Sequence, residues 1–347
     1  MDTSRPPKRR REDEVVLDLS DSSSSSFTKD VEFWLADGNV VLVCESTGFR
    51  VHQSVLSMHS RIFKDMFSMC NPQDNDTFDG CSLIRLPDAA DDFSHLLKSL
   101  YRLRYPPTHD GQFKLEAAGR LLRIASKYML DELRKELIDY ILVLFPKTLR
   151  FQRGRKIFPS DFSGLLGVEI SLSCDVPIIL PAACHVAASQ GGGVLKILDS
   201  HGMPHGEASM NARRMVLEFR EKMMETLDEL CEEFIWSMED FHCHGPPDTP
   251  ETCKGLSSAA MHQVELYYRS LSDSVFNFSF RLAVDYTEQP EFDDLCGDCC
   301  SKLDYINDMI QRKLWFALPG HCGFKDWAAV EAAQKAADAD VGGAEHI

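Results

Sequence analysis

The spacing of apolar residues changes period along the chain. Residues 31–36 and 40–45 read as strands, the second rich in β-branched side chains, with Asp37-Gly38-Asn39 as the turn between them. Ser46-Thr47-Gly48 is another turn signal and Phe49-Arg50-Val51 a third short strand, so the three strands are expected to form a β-meander. The period then becomes helical. Ser54 is placed to cap a helix carrying Val55, Leu56 and Met58, and Ser60 to cap a second with Ile62, Phe63, Met66 and Phe67 on one face. Residues 71–80 form a polar loop and 83–86 a further strand. Asp88 to Asp92 opens a helix whose Phe93, Leu96, Leu97 and Leu100 share a side. Two longer helices follow, over 114–128 with the stripe Leu115, Ala118, Leu122 and Ala125, and over 131–145 with Leu133, Leu137, Tyr140 and Leu144. Pro146 closes the second.

Beyond residue 147 the pattern is mainly helical. Helices are expected over 181–189, 212–238, 257–271 and 303–314. On the longest, Val216, Met223, Leu227, Leu230 and Phe234 form an apolar stripe opposite Glu221, Lys222, Glu225, Asp228, Glu229 and Glu232. These patterns divide the chain into a disordered N-terminal tail (1–28), an N-terminal domain (29–146), a mainly helical C-terminal module (147–327) and a flexible Ala- and Gly-rich tail (328–347).

Composition narrows the function. The 347 residues are 44% hydrophobic and 26% charged, enough for a packed core and for about two or three domains. Lys plus Arg total 37 against 54 Asp plus Glu, a net charge of -17. That balance argues against direct nucleic-acid binding, which needs a basic surface to release counterions. No apolar run reaches the roughly 18–20 residues of a membrane helix, so no membrane contact is expected. The best candidate, 176–188, is shorter and broken by two prolines and His185. The N-terminus begins with charge and has no apolar h-region, so a secretory signal is not expected and the chain is placed in the nucleus and/or the cytoplasm.

Two short signals occupy the N-terminal tail. Lys8-Arg9-Arg10-Arg11 after Pro6-Pro7 has the form of a nuclear import signal; the alternative is a solvated charge run. Val15, Val16, Leu17 and Leu19 stand between Glu12-Asp13-Glu14 and Asp21 with its serines. The arrangement resembles a SUMO-interaction motif, a strand that would add to a sheet edge while its acidic flank meets a basic rim. The alternative is a chance apolar patch.

Twelve cysteines invite inspection. Cys174, Cys184 and Cys231 lie in or beside apolar segments and read as small buried hydrophobes. Cys243 and Cys253 flank a Gly-Pro-Pro loop, and Cys296-Gly297-Asp298-Cys299 precedes a helix. Cys243, Cys253, Cys296 and Cys299 could converge on one tetrahedral structural zinc, since a Cys-x-x-Cys turn presents two thiolates at bonding distance. His242, His244, Cys300, His321 and Cys322 are substitute ligands, and reduced cysteine without metal is the alternative. No Gly-Lys-Ser/Thr follows the glycines at 191–193, and neither a Gly-x-Ser-x-Gly elbow nor a His-Glu-x-x-His motif is present. No catalytic residue is assigned, and the chain is not read as an enzyme.

Asp37-Gly38-x-Val40, then Phe49-Arg50-Val51-His52-x-Ser54-Val55-Leu56, then Ser60-x-x-Phe63-x-x-Met66-Phe67 resembles the central signature of the BTB/POZ domain. Phe-Lys-Asp-Met-Phe at 63–67 and Lys-Tyr-x-x-x-x-Leu-Arg at 127–134 look most like BTB proteins of mushroom-type fungi. The resemblance covers about residues 29–146 and implies an α+β fold: a small mixed sheet with helices, followed here by the helical module. His52, at a strand-to-helix junction, is expected to fix the turn by hydrogen bonding. The family implies homodimerisation and partner docking, and in some members a substrate-adaptor role for cullin-type ubiquitin ligases. The import signal suggests a second reading, a nuclear regulator of transcription or chromatin recruited by protein contacts.

Overall fold

The computed structural model describes residues 27–69, 76–103, 105, 113–148, 161–189, 209–238 and 297–342. Five strands, β1 (Thr28–Trp34), β2 (Val40–Cys44), β3 (Thr47–Val51), β4 (Thr77–Phe78) and β5 (Cys81–Leu86), form one sheet in the order β1-β3-β2-β5-β4. β1 runs parallel to β3, β2 antiparallel to β3 and parallel to β5, and β4 antiparallel to β5.

The first three strands are therefore not a meander. After β1 the chain crosses the end of β3 and returns as β2 on its far side. The crossing is tight: the Leu35 amide donates to Arg50 O and the Asn39 amide to Val51 O. A Cβ on Gly38 would lie 2.9 Å from the Arg50 and Val51 backbone, so only glycine allows this approach. The β2–β3 turn is Glu45-Ser46, one residue earlier than expected, with Glu45 in the left-handed region at φ 50°. The 71–80 loop conceals β4, which returns into β5 through Asp79 (φ 51°) and Gly80 (φ 76°). Consecutive left-handed residues are the requirement of a two-residue hairpin turn.

Side chains of β2 alternate between two cores, as a strand covered on both faces requires. Val40, Leu42 and Cys44 enter the main helical core, whereas Val41 and Val43 enter a smaller one on the outer face of the sheet.

Helices α1 (Gln53–His59) and α2 (Arg61–Met69) follow β3. Ser54 does not cap α1. His52 holds the N-cap position, and the Gln53 amide is satisfied by Asn39 Oδ1 at 2.9 Å from across the crossing loop. Ser60 behaves as expected: its hydroxyl accepts from the Phe63 amide at 3.1 Å and donates to Tyr128 O at 2.5 Å. Then come α3 (Ala90–Tyr101), α4 (Leu115–Lys127) and α5 (Asp131–Leu144). Asp161, far along the chain, caps α4 by accepting from the Leu115 and Glu116 amides at 2.9 and 2.8 Å.

The region beyond is helical among the described residues, with α6 (Gly164–Ser173), a 3₁₀ turn (Pro177–Ile179), α7 (Leu180–Ser189), α8 (Met210–Met238), α9 (Gly297–His321) and α10 (Trp327–Gly342). α6 has no counterpart in the sequence reading. Its sequence, GLLGVEISLS, is apolar on nearly every side, so it lacks the amphipathic period. α9 extends well beyond 303–314 at both ends. The tail expected to be flexible contains α10, where Val330 and Ala337 are buried and Trp327 stacks on Trp315 at 5.3 Å and 17°. The Trp327 indole also donates to Trp315 O at 3.1 Å. The helix expected over 257–271 lies outside the described residues. No described helix is long and apolar enough to cross a membrane.

Candidate protein-interaction surface

The signature residues separate into a packed cluster and a polar junction. Phe49 and Phe63 are fully buried and both meet Phe93, at 5.5 and 6.3 Å between ring centroids. Phe63 also stacks on Tyr128 at 4.3 Å and on Phe67 at 5.9 Å. Leu56 is buried in the same core, and Met66 packs against its edge.

His52 forms the junction with Asp37 and Tyr101. Its Nε2 lies 3.3 Å from Asp37 Oδ2, and its Nδ1 lies 3.2 Å from the Tyr101 hydroxyl, which also accepts from the His52 amide at 3.0 Å. A tyrosine hydroxyl has one hydrogen. The hydroxyl accepts from the amide and shares a hydrogen bond with Nδ1, while Nε2 faces the Asp37 carboxylate. Both ring nitrogens are thereby engaged in holding β3, α1 and α3 together, the positioning role expected of His52. The Tyr101 hydroxyl is held above its ordinary pKa by burial.

Charged residues tie the helices to the sheet. Glu32 on β1 pairs with Arg102 and with Lys98 on α3. Asp88 accepts from Lys127 at 2.6 Å and from the Tyr128 hydroxyl at 2.5 Å. Burial and that bond to Asp88 raise the Tyr128 pKa. Glu45 accepts from the Ala90 amide at 3.1 Å and so holds the start of α3. Burial, with Asp88 nearby, pushes the Cys44 thiol up to about 12.

The domain joins the helical region through Arg134 on α5, which is buried. Its guanidinium donates to Ser126 Oγ at 2.6 Å, to Cys174 O at 3.0 Å and to Asp175 O at 2.9 Å, and it lies 3.5 Å from Asp338 on α10. Beside it, Lys147 and Glu331 pair at 2.8 Å, and Gln334 Oε1 accepts from the Ile178 amide at 3.2 Å. A cleft of about 570 Å³ opens between α5 and α10 here.

β1 ends the sheet, and its pairing with β3 is irregular between Lys29 and Trp34. Asp30 fills this stretch by accepting from the Glu32 and Phe33 amides at 2.9 and 2.7 Å. Val31, between them, is fully exposed, and Met58 on α1 is largely so. An exposed apolar side chain on an edge strand, as Val31 is, offers a place for another chain to pair.

Of the expected metal ligands, Cys243, Cys253 and Cys296 lie outside the described residues, as do Lys8, Arg9, Arg10, Arg11, Val15, Val16, Leu17 and Leu19. Cys299 is buried in the first turn of α9. His321 faces Thr226 at 3.3 Å and the edge of Phe219. Among the described residues no group of three or more His, Cys, Asp or Glu could hold a metal ion. Cys174 and Cys184 are buried, with thiols held above their usual pKa by burial.

Tyr101, Glu45 and Asp161 were not singled out from the sequence, and Asp88 and Arg134 stood there only as a helix start and as the end of the Lys-Tyr-x-x-x-x-Leu-Arg stretch, without these partners. Each acts on a partner far along the chain, and no local pattern announces that partner.

No curated protein matches the chain. The family model of the BTB/POZ domain matches residues 36–143, from the crossing loop after β1 almost to the end of α5. The N-terminal part of this chain is therefore a BTB/POZ domain, a protein-interaction module and not a catalytic one, followed by a mostly helical region.

Proposed function

We propose that the chain is a non-enzymatic interaction protein that forms a homodimer through its BTB/POZ domain and docks a second protein through the helical region. The observation that carries this reading is Val31, exposed on the edge strand with Met58 on α1 as a second apolar anchor. Left in water these side chains contribute nothing; buried against a second copy, each adds roughly 1.5–3 kcal/mol. The full-length protein is expected to sediment as a dimer at micromolar concentration. Val31→Asp with Met58→Glu should raise the dimer dissociation constant at least about tenfold, since truncated anchors at interface centres commonly lose that much. A monomeric wild-type protein, or a dimer indifferent to both changes, sinks the dimer reading.

The adaptor role belongs to the same proposal. An affinity pull-down of the full-length protein, beside one lacking the domain, tests it. A cullin recovered only with the domain supports adaptor function and makes the other partners candidate substrates. Nuclear partners without a cullin would favour the regulator instead. The proposal also keeps zinc at Cys243, Cys253, Cys296 and Cys299. Protein purified without chelator should then carry about one metal per chain, and metal-free protein with a cooperatively folded C-terminal region would remove zinc from the reading.

A further inference from the structure

The smaller core on the outer face of the sheet is roofed by aromatic rings. Phe27, Trp34 and Phe78 lie over the buried Val41, Val43, Cys81 and Leu83. The three rings are mutual neighbours, with centroids 6.3 Å apart for Phe27–Trp34, 5.0 Å for Phe27–Phe78 and 5.9 Å for Trp34–Phe78. The last pair stand nearly perpendicular, at 84°. Phe27 is seated on Gly48, where a Cβ would come within 2.4 Å of the ring. Each ring is only partly buried, so aromatic surface stays open to solvent.

The protein places one of its own cations in this cluster. Lys29 Nζ lies 4.7 Å from the Trp34 ring centroid, 5.3 Å from that of Phe78 and 3.6 Å from Asp79 Oδ2. Two ring faces and a carboxylate thus converge on a single ammonium, at distances where the negative face of an aromatic ring attracts a cation.

We infer that Phe27, Trp34, Phe78 and Asp79 form a recognition site for an alkylated ammonium, the methylated lysine side chain of a partner protein, with Lys29 as its built-in stand-in. Lys29 is a displaceable occupant. Its side chain is 51% exposed and Asp79 is 42% exposed, and ion pairs in that setting are weak. An incoming ammonium therefore competes with a loosely held one. Methyl groups remove hydrogen-bond donors and spread the charge over an apolar shell, so an alkylated ammonium leaves water more readily than lysine and gains more from the rings. Asp79 supplies the charge complement in either case. Lys29 and Trp34 lie on the strand that carries Val31, but neither Val31 nor Met58 belongs to the site, so Val31→Asp with Met58→Glu tests dimerisation without removing any of its residues.

The test uses the full-length protein and Nα-acetyl-trimethyllysine amide, read by the shift of the Trp34 indole resonance. The unmethylated lysine amide and the uncharged carbon isostere of the trimethyl compound are titrated in parallel. Saturable binding is expected, tighter for the trimethyl compound than for lysine by at least about fivefold. Lys29→Ala should tighten it by up to about tenfold, because the competing occupant is gone. Phe78→Leu and Asp79→Asn should each weaken it about fivefold or more; Asp79→Asn should leave the melting temperature nearly unchanged, and Phe78→Leu, which thins the roof of the smaller core, should lower it while the protein stays folded at the titration temperature. Absence of binding at millimolar concentration in both wild type and Lys29→Ala overturns the inference. Equal affinity for the carbon isostere also overturns it, since the patch would then be merely apolar. So does binding that neither Phe78→Leu nor Asp79→Asn changes, because the ligand would be sitting elsewhere.

Discussion

Phe63→Ala should lower the stability of the BTB/POZ domain by about 4 kcal/mol, within the range for truncating a fully buried phenylalanine. Phe63 has no solvent exposure, and its ring stacks on Tyr128 at 4.3 Å and 13° and on Phe67 at 5.9 Å and 19°. Removing it opens a cavity where α2, α3 and the end of α4 meet. Ser60 caps α2 at the Phe63 amide and bonds to O of Tyr128, whose ring stacks on Phe63, so the α2 cap loosens with it. Urea denaturation monitored by tyrosine fluorescence and by far-UV circular dichroism should show the midpoint fall in both signals. Phe63→Leu, which keeps most of the volume, should lose less than about half as much. Val143→Ala, on the exposed face of α5, should change little. A loss below about 1.5 kcal/mol for Phe63→Ala would mean that the surrounding rings close over the gap, and the aromatic cluster would not be what holds the helices to the sheet.

Arg134→Met should cost about 3 kcal/mol, through a different mechanism. Methionine fills much of the volume but donates nothing. The carbonyls of Cys174 and Asp175 and the hydroxyl of Ser126 each lose a charge-assisted donor. Each such bond contributes roughly 1.5–3 kcal/mol, and acceptors left without a partner add to the loss. Desolvation of the guanidinium in the wild type offsets part of the sum, which is why the expected figure is well below the simple total. The Asp338 contact, at 3.5 Å to a half-exposed carboxylate, is given little weight. Hydrogen exchange should report faster opening at the end of α6 and across α10, with β2 and β3 protected. Stability within about 0.5 kcal/mol of wild type would show that water replaces the guanidinium at no net loss.

What the sequence disclosed follows from the range of the interactions involved. α2, α4 and α5 were legible because nine to fourteen residues repeat one period and bury one stripe; β2 was legible as a β-branched run buried on both faces, and β3 in its last three residues. The crossing from β1 to β2 was not: nothing local to residues 31–51 distinguishes parallel from antiparallel pairing of the first strand. β4 is only two residues long, although Asp79-Gly80 before Cys81-x-Leu83 was a usable hairpin signal. α10 was obscured by composition: alanine and glycine suggest fraying until Trp327 finds Trp315. The same division holds at the candidate sites. His52 and Ser60 stand in a recognisable motif, but their partners Tyr101 and Tyr128 lie 49 and 68 positions away. Phe27, Trp34 and Phe78 come from three separate segments, so only the folded sheet assembles them.

The reach of Asp161 across to α4 bears on how such a chain evolves. The carboxylate that terminates α4 lies 18 positions past the end of the family match at 143, and Arg123 on the same helix donates to Ser173 of α6 at 3.2 Å. A recombination event that moved residues 36–143 as a cassette would carry α4 away with two amide groups lacking their acceptor. It would also strand the Arg134 guanidinium without the carbonyls it was folded around. The structural unit here is larger than the family match. It extends at least through α6, and loss of the downstream helices by a premature stop should be felt first in the module whose own sequence is intact.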